Sequence, residues 1–428
     1  MEELLQILNQ EVAPALGCTG PISVSFATAK AYEIIGGNIE SISVLMDRDT
    51  YKNSISVGIP GSHYKGLDIA ASLGAVAGDA KKGLEVLEGL TKNKEEIAIQ
   101  KIKDGKVKVD IAWNRRGMNL FIDAIIKTDK GYGRAVIYGT HTNVVYLEVN
   151  HKILYGSLDD APDSTYELNS PISQYSISDF ISFVKKVDIN KLDIIKKAID
   201  LNFALANVGF KEDAGSGFGV AWSKMDQNNV VYKARAYVAA AGDARMSGKN
   251  LPAMSCASSG NVGITGSVPV KVFGDFYHCN EENIIRAVAL SYLVTIYAKC
   301  HIGRLSPVCA CSIAASLGVA AGCGFLSGLD TISIGHVISN VIGAIGGTLC
   351  DGAKNGCAIK LSTSIGVAIE NVVLVKNGAY IAENEGLVGA NADETLMLLG
   401  KIAREGMVAA DIKMCREIIK RNTERTKN

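Results

Sequence analysis

PVCACSIAASLGVAAGCGFLSGLDTISIGHVISNVIGAIGGTLCDGAKNGC, residues 307–357, is the stretch on which the reading of the chain turns. Five of the ten cysteines fall inside it, at 309, 311, 323, 350 and 357. No charged side chain occurs between positions 305 and 329, and none between 331 and 350. Ala, Gly and Ser interleaved with aliphatic residues predict two small-residue helices that pack closely, with thiols at their outer ends. Cys309 follows Pro307 ahead of the first helix. Cys350 and Cys357 are seven apart, which on one unbroken helix means about 10 Å of rise, a long reach for two ligands of one small site. Gly352 and Asn355-Gly356 argue against such a helix. The segment reads instead as a helix end and a loop that folds back, so that thiols at loop–helix junctions converge.

What would such thiols do? Structural zinc prefers four closed ligands, usually in two short C-x₂₋₄-C knuckles. The spacings here are C-x-C and C-x₆-C, and Cys311 could still complete a four-cysteine site. Iron–sulfur clusters are also commonly held by cysteines, in varied spacing. A free thiol is often no more than a small buried apolar side chain. Spacing alone leaves cluster, zinc and plain core thiols open.

The rest of the composition narrows the partner. The chain of 428 residues is long enough for two or three domains. Its 44 basic and 44 acidic side chains cancel, so no field favours nucleic acid or an anionic membrane surface. The start, MEELLQILNQEVAPALGC, lacks the basic and apolar regions of a signal peptide, so a cytoplasmic protein is expected. There thiols stay reduced, and ten cysteines point to metal or catalysis before disulfides. The uncharged runs are long enough to raise the question of a membrane span, but they are built from Ala, Gly and Ser with His336 and Asn340 inside, and no span is expected.

Along the chain, residues 2–10 read as an amphipathic helix with Leu4, Leu5, Ile7 and Leu8 inward. A second helix begins near Pro21, placing Cys18 just ahead of a helix N-terminus, where dipole and free amides favour a thiolate. From 39 to about 175 the texture is that of strands: SISVLMD, SISVGI, KVKVDIAW, LFIDAIIKT, RAVIYG and NVVYLEVN, with helices at GLDIAASLGAVAG and NKEEIAIQKIK. The loops 52–66 and 138–145 set Gly, hydroxyls, Asn53, His141 and Asn143 beside strand ends. That is either carboxylate-binding or ordinary turn chemistry. The polar run SPISQYSIS, 170–178, is the best boundary, and beyond it the chain reads mostly helical. The stretch 254–270, MSCASSGNVGITGSVPV, reads as a polar loop in which Asn261 could grip a carboxylate or cap a helix. VVLVKNGAYIA reads as a hairpin about Asn377-Gly378. The expected fold is therefore α+β: an N-terminal helical segment (1–38) carrying Cys18 and packing on the helical domain, an α+β domain with mixed β-sheet (39–175), and a mostly helical, cysteine-bearing domain (176–428).

EVAPALGCTGPI, SVGIPGS, SSGNVGITGSVPV, LSPVCACSIAA and TLCDGAKNGCAIK, spread in this order over nearly the whole chain, together resemble the L-cysteine desulfidase family, relatives of the iron–sulfur L-serine dehydratases. The resemblance implies a [4Fe–4S] cluster, no pyridoxal phosphate, and cluster ligands at Cys309, Cys350 and Cys357, with Cys311 close enough to compete for the first place. It implies Cys18 as the base and Ser258, Ser259, Gly260 and Asn261 as substrate-binding residues, with Asn53, His141 and Asn143 in supporting places. The implied reaction is elimination of sulfide from L-cysteine, giving pyruvate, ammonia and hydrogen sulfide. The implied partner is that small molecule, with no nucleic acid and no membrane; a homodimer is the assembly to test. The alternatives are an L-serine dehydratase with the same cluster and a non-enzymatic metal- or thiol-binding protein.

Overall fold

Alternation of β-branched and polar residues builds the N-terminal layer. The computed structural model describes residues 2–16, 19–113, 115, 120–161, 170–211, 214–249 and 251–425. A two-stranded ribbon pairs β1 (Val12–Leu16) antiparallel with β8 (Pro252–Cys256). The larger sheet holds β2 (Ile39–Met46), β3 (Val107–Ile111), β4 (Leu120–Thr128), β5 (Gly131–Gly139), β6 (Val144–Val149) and β7 (Lys152–Gly156), in the order β3-β2-β4-β5-β6-β7. Only β2 and β3 run parallel, so the sheet is mixed. β4 lies inside it and is buried on both faces, which is why LFIDAIIKT reads nearly continuously apolar.

Helices α1 (Glu2–Glu11), α2 (Thr19–Glu33), α3 (Arg48–Ser54), α4 (Leu67–Ala77) and α5 (Lys92–Lys103) accompany the strands. α1 buries Leu4, Leu5, Ile7 and Leu8, but in the core of the later helices. α2 and α4 pack on the sheet, sharing one core with Ile42, Ile122 and Ile126. The first helices are thus divided between two cores.

The remainder is helical: α6 (Ile177–Lys186), α7 (Asp193–Lys211), α8 (Phe218–Ser223), α9 (Val230–Met246), α10 (Gly260–Phe276), α11 (Glu281–Ile302), α12 (Ile313–Leu326), α13 (Thr331–Ile345), α14 (Cys357–Lys376), α15 (Ala392–Lys401) and α16 (Val408–Arg425). The architecture is α+β, a mixed-sheet part followed by a mostly helical one. The two uncharged runs form α12 and α13, of 14 and 15 residues, shorter than the ~20 a bilayer needs. α11 and α14 are long and apolar enough to cross a membrane, but their apolar windows are 89% and 61% buried within the fold. Small residues there serve close packing between helices.

Three local expectations are corrected, and one strand carried no expectation. SISVGI is no strand: α3 runs through Ser54, and a bridge from Gly58 to Lys65 follows. The stretch 254–270 is not an exposed polar loop but the end of buried β8 and most of α10, whose Gly and Ser let neighbouring helices approach. VVLVKNGAYIA is no hairpin, because α14 continues to Lys376. Gly378, at φ +83°, ends it: its N–H donates to Val375 O at 2.9 Å and that of Ala379 to Leu374 O at 3.0 Å. An Asn-Gly pair serves a helix stop as readily as a turn. Lastly, KILYG was not anticipated as the edge strand β7.

Candidate functional site

The cysteine segment folds back as its glycines require. Cys309 N–H donates to Thr348 O at 2.8 Å and Cys350 N–H to Pro307 O at 2.7 Å, so a short antiparallel ladder sets Cys309 beside Cys350. Cys357 opens α14, and its sulfur accepts from Lys354 N–H at 3.4 Å. Cys311 Sγ lies 3.3 Å from Cys309 Sγ. All four thiols line one cleft, which encloses about 1110 Å³ not filled by atoms, open solvent included. Cys323, the fifth cysteine of the segment, is buried in the helical core instead.

Cys309 is held well above the usual thiol range, first by its hydrogen bond with Cys311 and then by burial. Cys350 is raised likewise, first by its hydrogen bond with Cys309. Burial pushes Cys357 up. Among the described residues no three His, Cys, Asp or Glu side chains converge on a single ion-sized point. A cluster spreads its ligands around a body of several atoms, and the donor set here fits one: soft thiols converge, while the nearby Asp351 is engaged by Lys354 at 2.5 Å and by Lys360. Metal binding would displace the thiol protons, and the adjacent Lys52 and Lys360 would offset the thiolate charge.

The other side of the cleft comes from the sheet layer. Thr19 and Gly20, at the start of α2, face it, as do Thr50, Asn53 and Ser54 of α3. Asn53 donates to Asp49 O at 2.8 Å, and its Oδ1 lies 3.7 Å from Cys350 Sγ. The buried Ser54 Oγ has no hydrogen-bond partner among the described residues. His141, on the turn between β5 and β6, reaches the cleft as well. Burial, then the Lys299 and Arg304 cations, push its pKa down to about 4, so the partly exposed imidazole is neutral at pH 7.

The Ser-Ser-Gly-Asn loop takes its place through strain and caps. Ala257 and Ser258 both have positive φ, +46° and +65°. Three contacts hold them: Ala257 N–H donates to Glu11 O at 2.9 Å, Lys299 Nζ to Ala257 O at 2.6 Å, and Arg304 to Ser258 Oγ at 2.8 Å. Ser259 caps α10. Asn261 Oδ1 accepts from Arg245 at 2.9 Å. Gly260 lets Arg245 lie close, because a Cβ there would meet its Nε at 2.4 Å and force that side chain to shift.

Of the residues singled out from sequence, Asn53, His141, Ser258, Ser259, Asn261, Cys309, Cys350 and Cys357 line this cleft, and Gly260 lies against the Arg245 that lines it. Asn143 does not line it; it is exposed and donates to Tyr138 O at 3.0 Å, closing its own turn. Cys18 lies outside the described residues. The sequence reading overlooked Arg245, Lys299, Arg304 and Lys360. Lys299 had a signal: it ends an apolar run of α11 that is buried throughout.

A UPF0597 protein of Clostridium tetani is 38% identical over 408 residues, covering 95% of this chain and 96% of that protein. Another, of Caldanaerobacter subterraneus, is 37% identical over 410 residues, covering 95% and 96%. A third, of Clostridioides difficile, is 34% identical over 418 residues, covering 95% and 97%. Residues 81–416, which carry the helical wall and all four thiols of the cleft, match the family described as serine dehydratase alpha chain, and the chain belongs to that family of iron–sulfur-dependent dehydratases.

Proposed function

We propose that this protein is an L-cysteine desulfidase, a carbon–sulfur lyase that converts L-cysteine to pyruvate, ammonia and hydrogen sulfide without net redox change, in the cytoplasm. The observation that carries the reading is the convergence of Cys309, Cys350 and Cys357 in one cleft with the Ser258–Asn261 loop. These three cysteines would hold a [4Fe–4S] cluster, with Cys311 beside them. Bound there with one iron free of protein ligands, the cluster supplies a soft Lewis acid suited to a thiolate leaving group.

The chain's own groups do the rest. Asn53, Ser258, Ser259 and Asn261 offer neutral donors and acceptors that orient the amino acid. Neutral His141 adds a polar group without repelling the substrate ammonium. Cys18, directly before Thr19 and Gly20 of the cleft wall, takes the Cα proton as a thiolate. The Cβ–S bond breaks, sulfide leaves, and 2-aminoacrylate is released to hydrolyse in water to pyruvate and ammonia. No pyridoxal phosphate is needed.

The family description favours a second reading, an L-serine dehydratase on the same cleft. Anaerobic reconstitution followed by kcat/KM on L-cysteine and on L-serine decides between them. Preference for cysteine supports the desulfidase; preference for serine replaces it. Cys18→Ser is expected to abolish pyruvate formation with the visible absorbance intact. Loss of both would remove Cys18 from the role of base.

A further inference from the structure

Lys299 presents a charge that no described carboxylate is free to balance, the thiols Cys256 and Cys311 being its other acidic neighbours. It lies near the end of α11, is 3% exposed and lines the cleft. Its one hydrogen bond among the described residues is to Ala257 O, at 2.6 Å. An ammonium has three donors, so two remain for the cleft. No described carboxylate pairs with it. Glu11, the carboxylate whose charge acts on it, is engaged by Arg304, Nη1 to Oε2 at 3.0 Å. The neighbouring Cys256 thiol is fully buried and pushed far up by that burial, so it stays neutral. Burial first, then Arg304, push the Lys299 pKa down to about 8.

A buried cation without a counter-ion is costly, and the cost disappears when an anion shares its pocket. The occupant must be small and anionic, since two cations face one carboxylate here and a metal ion would be repelled. It must also sit among the neutral hydroxyl and amide groups of Ser258, Ser259 and Asn261. Arg304 is less suited to be its receptor, because its fork is already held by Glu11 and Ser258.

We propose that Lys299 is the carboxylate receptor of the cleft, its head fixed by Ala257 O so that the remaining donors take the α-carboxylate of a small 2-amino acid. This rests on the lyase reading of the site and adds its missing charged contact. The same hydrogen bond makes Lys299 a brace for the Ala257–Ser258 turn, and a test must separate the two roles.

Two probes do so: 3-mercaptopropionate, which has a thiol and a carboxylate, and 2-aminoethanethiol, which has a thiol and an amine. Dissociation constants are measured by calorimetry on anaerobic, cluster-loaded protein. Lys299→Gln keeps a donor for Ala257 O but loses the charge; Lys299→Met loses both. Lys299→Gln is expected to weaken 3-mercaptopropionate roughly 10- to 100-fold, the range for removing one charged hydrogen bond. Binding of 2-aminoethanethiol should stay within about twofold. Lys299→Met should lose the same discrimination, whatever it costs in stability.

Equal weakening of both probes in Lys299→Met with no change in Lys299→Gln would leave only the brace and overturn the proposal. So would wild-type protein that binds neither probe or prefers the one lacking a carboxylate. Should wild type turn over neither cysteine nor serine while the probes behave as expected, the lyase reading falls and the carboxylate receptor stands.

Discussion

The two walls of the cleft differ in chemistry as sharply as the two parts of the fold differ in structure. The sheet-side wall offers Thr19, Asn53, Ser54 and His141, all uncharged at pH 7. The helical wall offers four thiols together with Arg245, Lys299, Arg304 and Lys360. This is not for want of charges on the sheet side. α3 carries Arg48, Asp49 and Lys52, but turns them toward Asp411 of α16: Lys52 Nζ lies 2.6 Å from Asp411 Oδ1, and Arg48 Nε 2.9 Å from Oδ2. One helix therefore lines the cleft with its amide and hydroxyls, while its ions pair with Asp411 and, through Lys52, act on Cys350 from behind that lining. The difference teaches that the thiols and cations of the cleft reside on the densely packed side, while the sheet side adds neutral groups that shape it.

The comparison breaks most completely at the thiols. Cys350→Ser or Cys357→Ser is expected to abolish iron binding and all measurable turnover, read as loss of visible absorbance and pyruvate after anaerobic reconstitution. The C-x-C pair sharpens it. Cys309→Ser should behave like Cys350→Ser, because the backbone ladder fixes Cys309 beside Cys350. Cys311→Ser should keep iron and colour. The reverse pattern would move the ligand role to Cys311.

Next in size is the anchor behind the neutral wall. The Asp411 side chain is fully buried and that of Lys52 is 1% exposed, so Asp411→Asn leaves two buried cations with Asp49 as their one remaining shared carboxylate. Breaking a buried pair in this way costs about 3–5 kcal/mol. The expected result is a lowered thermal midpoint, with a raised KM at temperatures where the protein still folds, because α3 carries Asn53 into the cleft. Unchanged stability would mean that α16 does not hold α3.

Much of this was legible from the sequence because local signals agreed with the fold. The alternation at 39–46 became β2 with its buried side in register, and the glycines after Cys350 did make the chain fold back. The failures have two causes. Close-packed helices are rich in Gly and Ser, so the buried α10 resembled a polar loop; composition cannot tell a small residue beside another helix from one beside water. Arg245 and Lys299 were overlooked because a cation's place in a site depends on which acids the fold leaves unpaired, a long-range matter. Lys299 and Ala257 are neighbours only through the packing of α11 against the start of α10.

His141 provides a smaller effect, on stability rather than turnover. Its folded pKa, about 4, lies below the ordinary imidazole value of 6.5. Between these values the unfolded chain binds a proton that the folded protein does not, so stability falls as pH drops from about 6.5 to about 4 and levels off below. Because the ring is partly exposed, the contribution should be nearer 1–2 kcal/mol than the full shift implies. His141→Gln is expected to flatten the denaturation midpoint over that window and leave it unchanged above pH 7. An identical pH profile would mean that the ring ionises without penalty.

The smallest expected effect lies two residues further along the same turn. Asn143 shares a loop with His141 and a residue type with Asn53, so sequence alone gives it the same standing. Its side chain instead donates to Tyr138 O, on its own hairpin and in contact with solvent. An exposed hydrogen bond of this kind contributes about 0.5–1.5 kcal/mol at most, and the backbone bond from Tyr138 N–H to Asn143 O, at 3.1 Å, already closes the turn. Asn143→Ala should therefore leave KM within experimental error, whereas Asn53→Ala should raise it, since Asn53 bridges α3 and Cys350 at the cleft wall. A KM that responds to Asn143 and not to Asn53 would place the neutral wall on the hairpin rather than on α3, and would take the orientation of the substrate with it.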